Sequence, residues 1–389
     1  MFKKSLRSGM LVGTATLALT LTACGGGESE SASEETADSA AATEETADAS
    51  AEETAASEDA GSETAECVTE GQVGFLMPDL ASTRYEEQDA PLFTQRMGEL
   101  APGIEVLYQN ADADPAKQQQ QADAMIAQGV DAIVLDAVDT EAAGTIVVNA
   151  QSAGIPVITY DRPIVSTPAD YYVSFDNEGI GRMIAESLVA KLDSDGASGG
   201  LLIVGGSPTD NAAGLIKAGM ESGVEGSNYE VLAQFDTPEW DPAKAQEWVA
   251  GQITQFGGDI VGVVAANDGT GGGTIAALKA AGVDPVPPVT GNDAEVAAIQ
   301  RIISGDQYNT ISKPISIVAS AAAETVNAFL CGAPPEAQVT LFDTPSQLFT
   351  PEVVTQENVK EVIFDGGIYT VDEVCTADYA DACSALGIM

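Results

Sequence analysis

The sequence predicts an α/β protein built of two doubly wound parallel-sheet lobes, and three observations predict it. Short β-branched runs alternate with helical patterns from Gln72 onward, and the alternation restarts after the stretch YYVSFDNEGIG. About 320 residues remain once the N-terminal segment is set aside, more than a single core usually fills.

In the first lobe, VGFLM precedes a helix beginning near Ala90, EVLYQ precedes DPAKQQQQADAMIAQG, and DAIVLD precedes TEAAGTIVVNAQSAG. Ala143, Ile146, Val147 and Ala150 fall at helical spacing, and Gly154 closes that helix. IPVITY follows as a fourth strand. In the second lobe GGLLIVGG, YEVLAQF, IVGVVAAND and PPVTGND read as strands, with helices near 211–222, 242–256, 272–281 and 293–304. NTISKPISIVASAAAETVNAFL then supplies a strand and a long helix that return the chain to the first lobe, and it crosses again near TPSQLFTP. The expected division is 72–175 with 314–345 for the N-terminal lobe, and 176–313 with 346–389 for the C-terminal lobe.

The first 66 residues carry different signals. Lys3, Lys4 and Arg7 precede a twelve-residue apolar run, Met10 to Leu21, which is too short to span a bilayer and reads as an export signal over 1–23. From Glu28 to Glu66 there are fourteen acids, no base and no aromatic residue. Such a segment cannot bury enough apolar surface to offset its ordering entropy, so 24–66 is expected to be an acidic, disordered tether. The formal net charge is −45, or about −48 without the three signal bases. That balance argues against nucleic acid or acidic partners.

The chain has no histidine, which removes the commonest general base and metal ligand and leaves no nucleophile and base pair to name. A carboxylate pair of the glycosidase type remains open. With Cys24 set aside, Cys67, Cys331, Cys375 and Cys383 form an even set in an exported chain. The eight-residue separation of Cys375 and Cys383 favours that bridge and leaves Cys67 to Cys331. Without histidine or CxxC spacing, a zinc site is not expected, and neither is any cofactor.

Open parallel sheets bind ligands outside the carboxyl ends of their strands, so polar residues at strand ends are the candidate site. Asp161 with Arg162, Asn267 with Asp268, Asn292 with Asp293, and Lys313 all occupy such ends. Asn and Asp before a helix are also ordinary caps, but a cap does not require the guanidinium of Arg162, for which an ion pair with Asp161 is the structural alternative. Tyr85 and Trp240 lie in loops and suit either lobe packing or stacking on the aliphatic face of a pyranose. Around the rim of such a ring, carboxylates accept from hydroxyls while Arg and Lys donate to the same oxygens. NDGTGGGT lacks the Lys of a phosphate loop and is read as a helix start with close packing. DADPAK is read as a cap, and QQQQ as a solvated helix face.

The segments YDRPI, YYVSFDNEGIG, GGSPTDNAAGL, AANDGTGGGTIAALKAAG, GNDAEVAAIQRIISG and SKPI, in this order, resemble the periplasmic sugar-binding proteins of ABC importers, type I, and most closely their xylose-binding branch. The resemblance implies two lobes on a three-crossover hinge closing over one monosaccharide, with no catalysis. It implies sugar-binding roles for Asp161, Arg162, Asn211, Trp240, Asn267, Asp293 and Lys313, for Arg84 and Tyr85 in the first loop, and marginally for Asp136. Leu21-Thr22-Ala23-Cys24 resembles a lipobox, which implies a lipid on Cys24 and anchoring to the outer face of the cell membrane. A membrane permease is the implied partner of a monomeric binding protein; a chemoreceptor or kinase ectodomain is the alternative partner. A repressor with the same lobes would need an N-terminal basic DNA-binding headpiece, and here an export signal stands in its place.

Overall fold

The structure, a computed structural model, describes residues 67–389. The expected export signal, the lipid site at Cys24 and the acidic tether lie outside the described residues. No helix among the described residues is long and apolar enough to cross a membrane.

The elements run β1 Gly71–Met77, α1 Ala90–Leu100, β2 Ile104–Asn110, α2 Pro115–Gln128, β3 Ala132–Leu135, α3 Gly144–Ser152, β4 Val157–Tyr160 and β5 Tyr171–Phe175. They continue as α4 Asn177–Asp195, β6 Gly200–Gly205, α5 Asn211–Val224, β7 Glu230–Asp236, α6 Pro242–Phe256, β8 Ile260–Ala265, α7 Asp268–Ala280, α8 Val296–Ser304 and β9 Asn309–Ser312. The chain ends with α9 Ile315–Leu330, β10 Val339–Leu341, β11 Thr344–Phe349, β12 Glu352–Thr355 and two short helices, α10 Val371–Val374 and α11 Ala380–Ala385.

One sheet has the order β10-β11-β5-β4-β3-β1-β2, parallel except for β10. Its inner strands β3, β4 and β5 are buried along their whole length, as expected of a parallel sheet covered on both faces. The other has the parallel core β7-β6-β8 with a bridge from Val263 to Val289, and β9 and β12 form a separate antiparallel pair beside it, tied on by Tyr308 N–H to the Val289 carbonyl at 2.9 Å and Asp293 N–H to the Ile311 carbonyl at 3.0 Å. The stretch PPVTGND is therefore a single bridge and not a full strand. Pro287 and Pro288 lack the amide donors that a longer ladder would need. Three connections, at Asp176, at Lys313–Pro314 and at Thr350–Pro351, join the two sheets.

The pairing of β11 with β5 continues to Phe349, so the boundary expected at 345/346 falls inside a strand. Asp268 starts α7 earlier than expected because Asn267 caps it: the Asn267 side chain accepts from Thr270 N–H at 2.8 Å. Helices α4 and α5 cross at glycines. A Cβ on Gly181 would lie 1.9 Å from the Ile216 carbonyl oxygen, and one on Gly219 would lie 2.1 Å from that of Glu178, so only glycine permits this approach.

Both bridges are present, Cys67–Cys331 and Cys375–Cys383. The tail packs Val359, Ile363, Tyr369, Val374 and Cys383 against Ile299, Ile302 and Ile303 of α8, which places it on the second sheet's side.

Candidate functional site

The carboxyl ends of the two parallel sheets face one another across a pocket. Ser82, Arg84 and Tyr85 follow β1, Asp161 and Arg162 follow β4, and Asn177 follows β5. Asp210 follows β6, Trp240 follows β7, Asn267 follows β8, Asn292 and Asp293 follow the Val289 bridge, and Lys313 follows β9. These side chains close on one another and leave a cavity of only about 20 Å³, room for about one water. Two larger hollows elsewhere, one beside Lys191 and Tyr308 and one beside Pro314 and Ile368, have no comparable cluster of buried charge.

Two cations and two carboxylates cross the pocket. Lys313 Nζ lies 2.8 Å from Asp293 Oδ1 and 3.5 Å from Asp161 Oδ1. Arg84 Nη1 lies 3.3 Å from Asp161 Oδ2 and 3.5 Å from Asp293 Oδ1. The far edge of Arg84 is fixed by Asp89 through bonds of 2.8 and 2.9 Å, and Asp89 also accepts from the Tyr160 hydroxyl. Burial alone would raise the Asp161 pKa, but Arg84, Lys313 and Arg162 outweigh it and hold the carboxyl well below its ordinary range. For Lys313, burial opposes the charge and Asp161 with Asp293 more than restores it, so it stays cationic.

Arg162 points away from Asp161. Its Nη2 donates to Asp79 Oδ2 at 2.7 Å and to the Tyr85 hydroxyl at 3.1 Å, and its Nη1 donates to the Ala137 carbonyl at 3.0 Å. Its Nε lies 3.3 Å from Asp136 and 3.2 Å from Asp210. Neighbours in sequence thus serve two different charge clusters. The split follows from the backbone: Asp161 is left-handed at φ +59°, and its carbonyl accepts from the Tyr172 and Ser174 hydroxyls at 2.8 and 2.9 Å. Glu239, Trp240, Asp293 and Ala294 also have positive φ without being glycine, so strained backbone gathers around this pocket.

Tyr85 is buried against both guanidinium groups, at 5.2 Å from Arg84 and 5.9 Å from Arg162. Trp240 donates its indole N–H to Asp210 Oδ2 at 3.0 Å. Beneath it lies Gly206, where a Cβ would meet the ring at 2.1 Å.

Of the ten residues expected at the site, Arg84, Tyr85, Asp161, Arg162, Trp240, Asn267, Asp293 and Lys313 line the pocket. Two do not. Asp136 is fully buried behind Arg162, where burial pushes its pKa up. Asn211 does not line the pocket but donates to the Pro163 carbonyl at 3.3 Å, and its neighbour Asp210 faces the pocket instead. The glutamine run is not wholly solvated either. Gln118 is buried, donating to the Asp136 carbonyl and accepting from Val138 N–H, so it braces the end of β3. The sequence does not single out Asp79, Asp89 and Asp210, because acids near strand ends read as turn or cap residues. Asp210 does cap α5, through Ala212 N–H at 2.8 Å. Among the described residues no cluster of His, Cys, Asp and Glu could hold a metal ion.

Two sheets with switch-point loops meeting over a buried, charge-lined pocket define a two-lobed solute-binding protein of type I architecture. The family model described as "Periplasmic binding protein domain" matches residues 73–334. The D-xylose-binding periplasmic protein of Escherichia coli (strain K12) is 33% identical over 313 residues, covering 78% of this chain and 93% of that protein. The multiple sugar-binding periplasmic receptor ChvE of Rhizobium radiobacter is 32% identical, covering 78% and 92%. A solved ABC transporter solute-binding protein from Clostridium phytofermentans, with bound β-D-glucose, superposes with a TM-score of 0.71 at 30% identity, covering 78% of this chain and 99% of that one. The chain belongs to the periplasmic binding protein family, among its sugar-binding members, which bind solutes and are not enzymes.

Proposed function

We propose that this protein captures a single aldose, xylose or a related pentose or hexose, by closure of its lobes, and delivers it to the permease of an ABC importer. The observation that carries this reading is the meeting of Asp161 and Arg84 from one sheet with Asp293 from the other and Lys313 from the hinge, between Tyr85 and Trp240. Carboxylates accept from ring hydroxyls, the two cations donate to the same oxygens, and the aromatic planes suit the C–H faces of a pyranose. Binding free energy stabilises the closed form, and that form is what a permease recognises. Similarity to a D-xylose-binding protein and to a glucose-bound structure supports the ligand class. A lipid on Cys24 and the acidic segment after it would hold the monomeric domain near the outer face of the membrane.

A second reading, presentation of the same closed form to a chemoreceptor or kinase ectodomain, is favoured by similarity to a protein named as a receptor. A thermal-shift panel of monosaccharides on the domain starting at Cys67 tests the ligand class. A cognate sugar at a hundredfold excess over its dissociation constant should stabilise the fold by about 2.7 kcal/mol. A panel in which no pentose or hexose moves the transition rules the reading out. Adding the permease or the sensor ectodomain to the sugar-loaded protein separates the two partners.

A further inference from the structure

Arg162 and Trp240 each border two spaces. One is the charged pocket, and the other is an adjoining hollow of about 200 Å³, also lined by Val138, Ser207, Pro208 and Glu239. The guanidinium and the indole are thus the wall between them. Arg162 belongs to the seven-stranded sheet's side and Trp240 to the other, so this wall is assembled only where the two sides meet.

Asp210 is what joins its two halves. Oδ2 of Asp210 accepts the indole N–H of Trp240 at 3.0 Å and lies 3.2 Å from Arg162 Nε, while Oδ1 caps α5. Capping does not require this reach. Asp114, Asp176 and Asp241 cap their helices in the same way and bond no aromatic nitrogen. Trp240 needs an outside restraint, because it and Glu239 hold left-handed backbone at φ +55° and +59°.

We propose that Asp210 is a positioning residue that fixes Arg162 and Trp240 as a partition, confining the ligand to one sugar ring and excluding a second ring from the adjoining hollow. This rests on the sugar reading given above.

The test is calorimetric titration of the intact domain with D-xylose and D-glucose and with their β-1,4-linked dimers, xylobiose and cellobiose. Wild-type protein is expected to bind the monomer at least a hundredfold more tightly than the dimer. Asp210→Ser keeps a good cap for α5 but cannot reach the indole, and it should shrink that ratio at least tenfold. An Asp210→Ser protein with the wild-type ratio overturns the partition and leaves the sugar reading intact, as does a wild type that binds dimer as tightly as monomer. A wild type that binds none of the four sugars removes the sugar reading and the partition with it. Should Asp210→Ser fail to fold without sugar, Asp210→Asn decides by the same ratio, with a reduction of threefold or more expected.

Discussion

Arg84 and Asp293 approach to 3.5 Å although one follows the first strand of the seven-stranded sheet and the other lies beyond the parallel core of its partner. Each is held by further groups, Arg84 by Asp89 and Asp161, Asp293 by Lys313. The contact therefore joins two half-sites that carry their own counter-charges. Neither half has to desolvate an unpaired ion, the arrangement in which buried charge is most costly.

Asp161 and Asp293 share both cations, so their contributions to sugar binding should not add. Asp161→Asn and Asp293→Asn are each expected to weaken the cognate sugar at least tenfold, as loss of a charge-assisted hydrogen bond of about 1.5–3 kcal/mol implies. In the double variant Lys313 has lost both carboxylate partners and Arg84 keeps only Asp89, and the combined effect should depart from the sum by about 0.5 kcal/mol or more. Calorimetric titration of wild type, both single variants and the double variant checks this, and strict additivity would remove the shared-cation account.

Gly206 should be intolerant of a methyl group for a purely steric reason. A Cβ there would meet the Trp240 ring at 2.1 to 2.5 Å. Gly206→Ala is expected to displace the indole, red-shift its emission and weaken sugar binding at least tenfold. Overpacking of this kind costs about 1–3 kcal/mol, so the folded protein should survive. Unchanged emission and affinity would mean that Trp240 is not pinned against this strand end.

The two bridges should affect stability and leave the site alone. Cys67 and Cys331 close a loop spanning 264 residues and tie the start of the first sheet to the end of α9, where Val68 N–H also bonds the Leu330 carbonyl. Replacing both by serine should cost about 2–4 kcal/mol in denaturant unfolding, while replacing Cys375 and Cys383 should loosen only the tail on α8. Sugar affinity should stay within about threefold in either case, since none of the four lines the pocket. A tenfold loss on removing the first bridge would tie α9 to the ligand.

Strand ends were readable as the site because a parallel sheet sends every loop of one end to the same side, and eight of the ten expected residues follow that rule into the pocket. What pattern could not reveal is orientation. Asp210 and Asn211 are adjacent, and which of them faces inward is decided by how α5 begins, with the Asp210 backbone extended and that of Asn211 already helical. Asp79 and Asp89 pair with arginines 83 and 5 residues away, and an acid beside a turn or ahead of a helix carries no mark of such a partner. Sequence adjacency likewise suggested that Asp161 and Arg162 act together, and one left-handed residue sends them to separate clusters.

Stability should fall as pH rises from about 4.5 to about 8. Burial pushes the carboxyl of Glu295 up to about 8, reinforced by Asp268 and Asp293 and opposed by Arg301 and the Thr83 N–H, and its Oε1 has no hydrogen-bond partner. Asp268 beside it is raised by burial to about 7, with Arg301 opposing. Both hold protons in the folded state that the unfolded chain has already released, so the native state binds more protons and unfolding becomes easier with rising pH until the folded values are passed. Asp161 works the other way at the acid end. Its folded value is depressed, so the stability it contributes is present above the ordinary carboxylate range and is lost as pH falls through that range and below. With no histidine in the chain, pH dependence between 5 and 8 comes from these buried carboxyls, from Asp136 and Asp210, which burial also raises, and from general repulsion among surface acids. Glu295→Gln separates its share from the rest, because it keeps the shape and removes the titration. Thermal melts should give a higher midpoint at pH 5 than at pH 8 for wild type and a clearly flatter profile for Glu295→Gln. Equal slopes for the two proteins would leave Glu295 without a part in it and assign the effect to the other raised carboxyls and to surface charge.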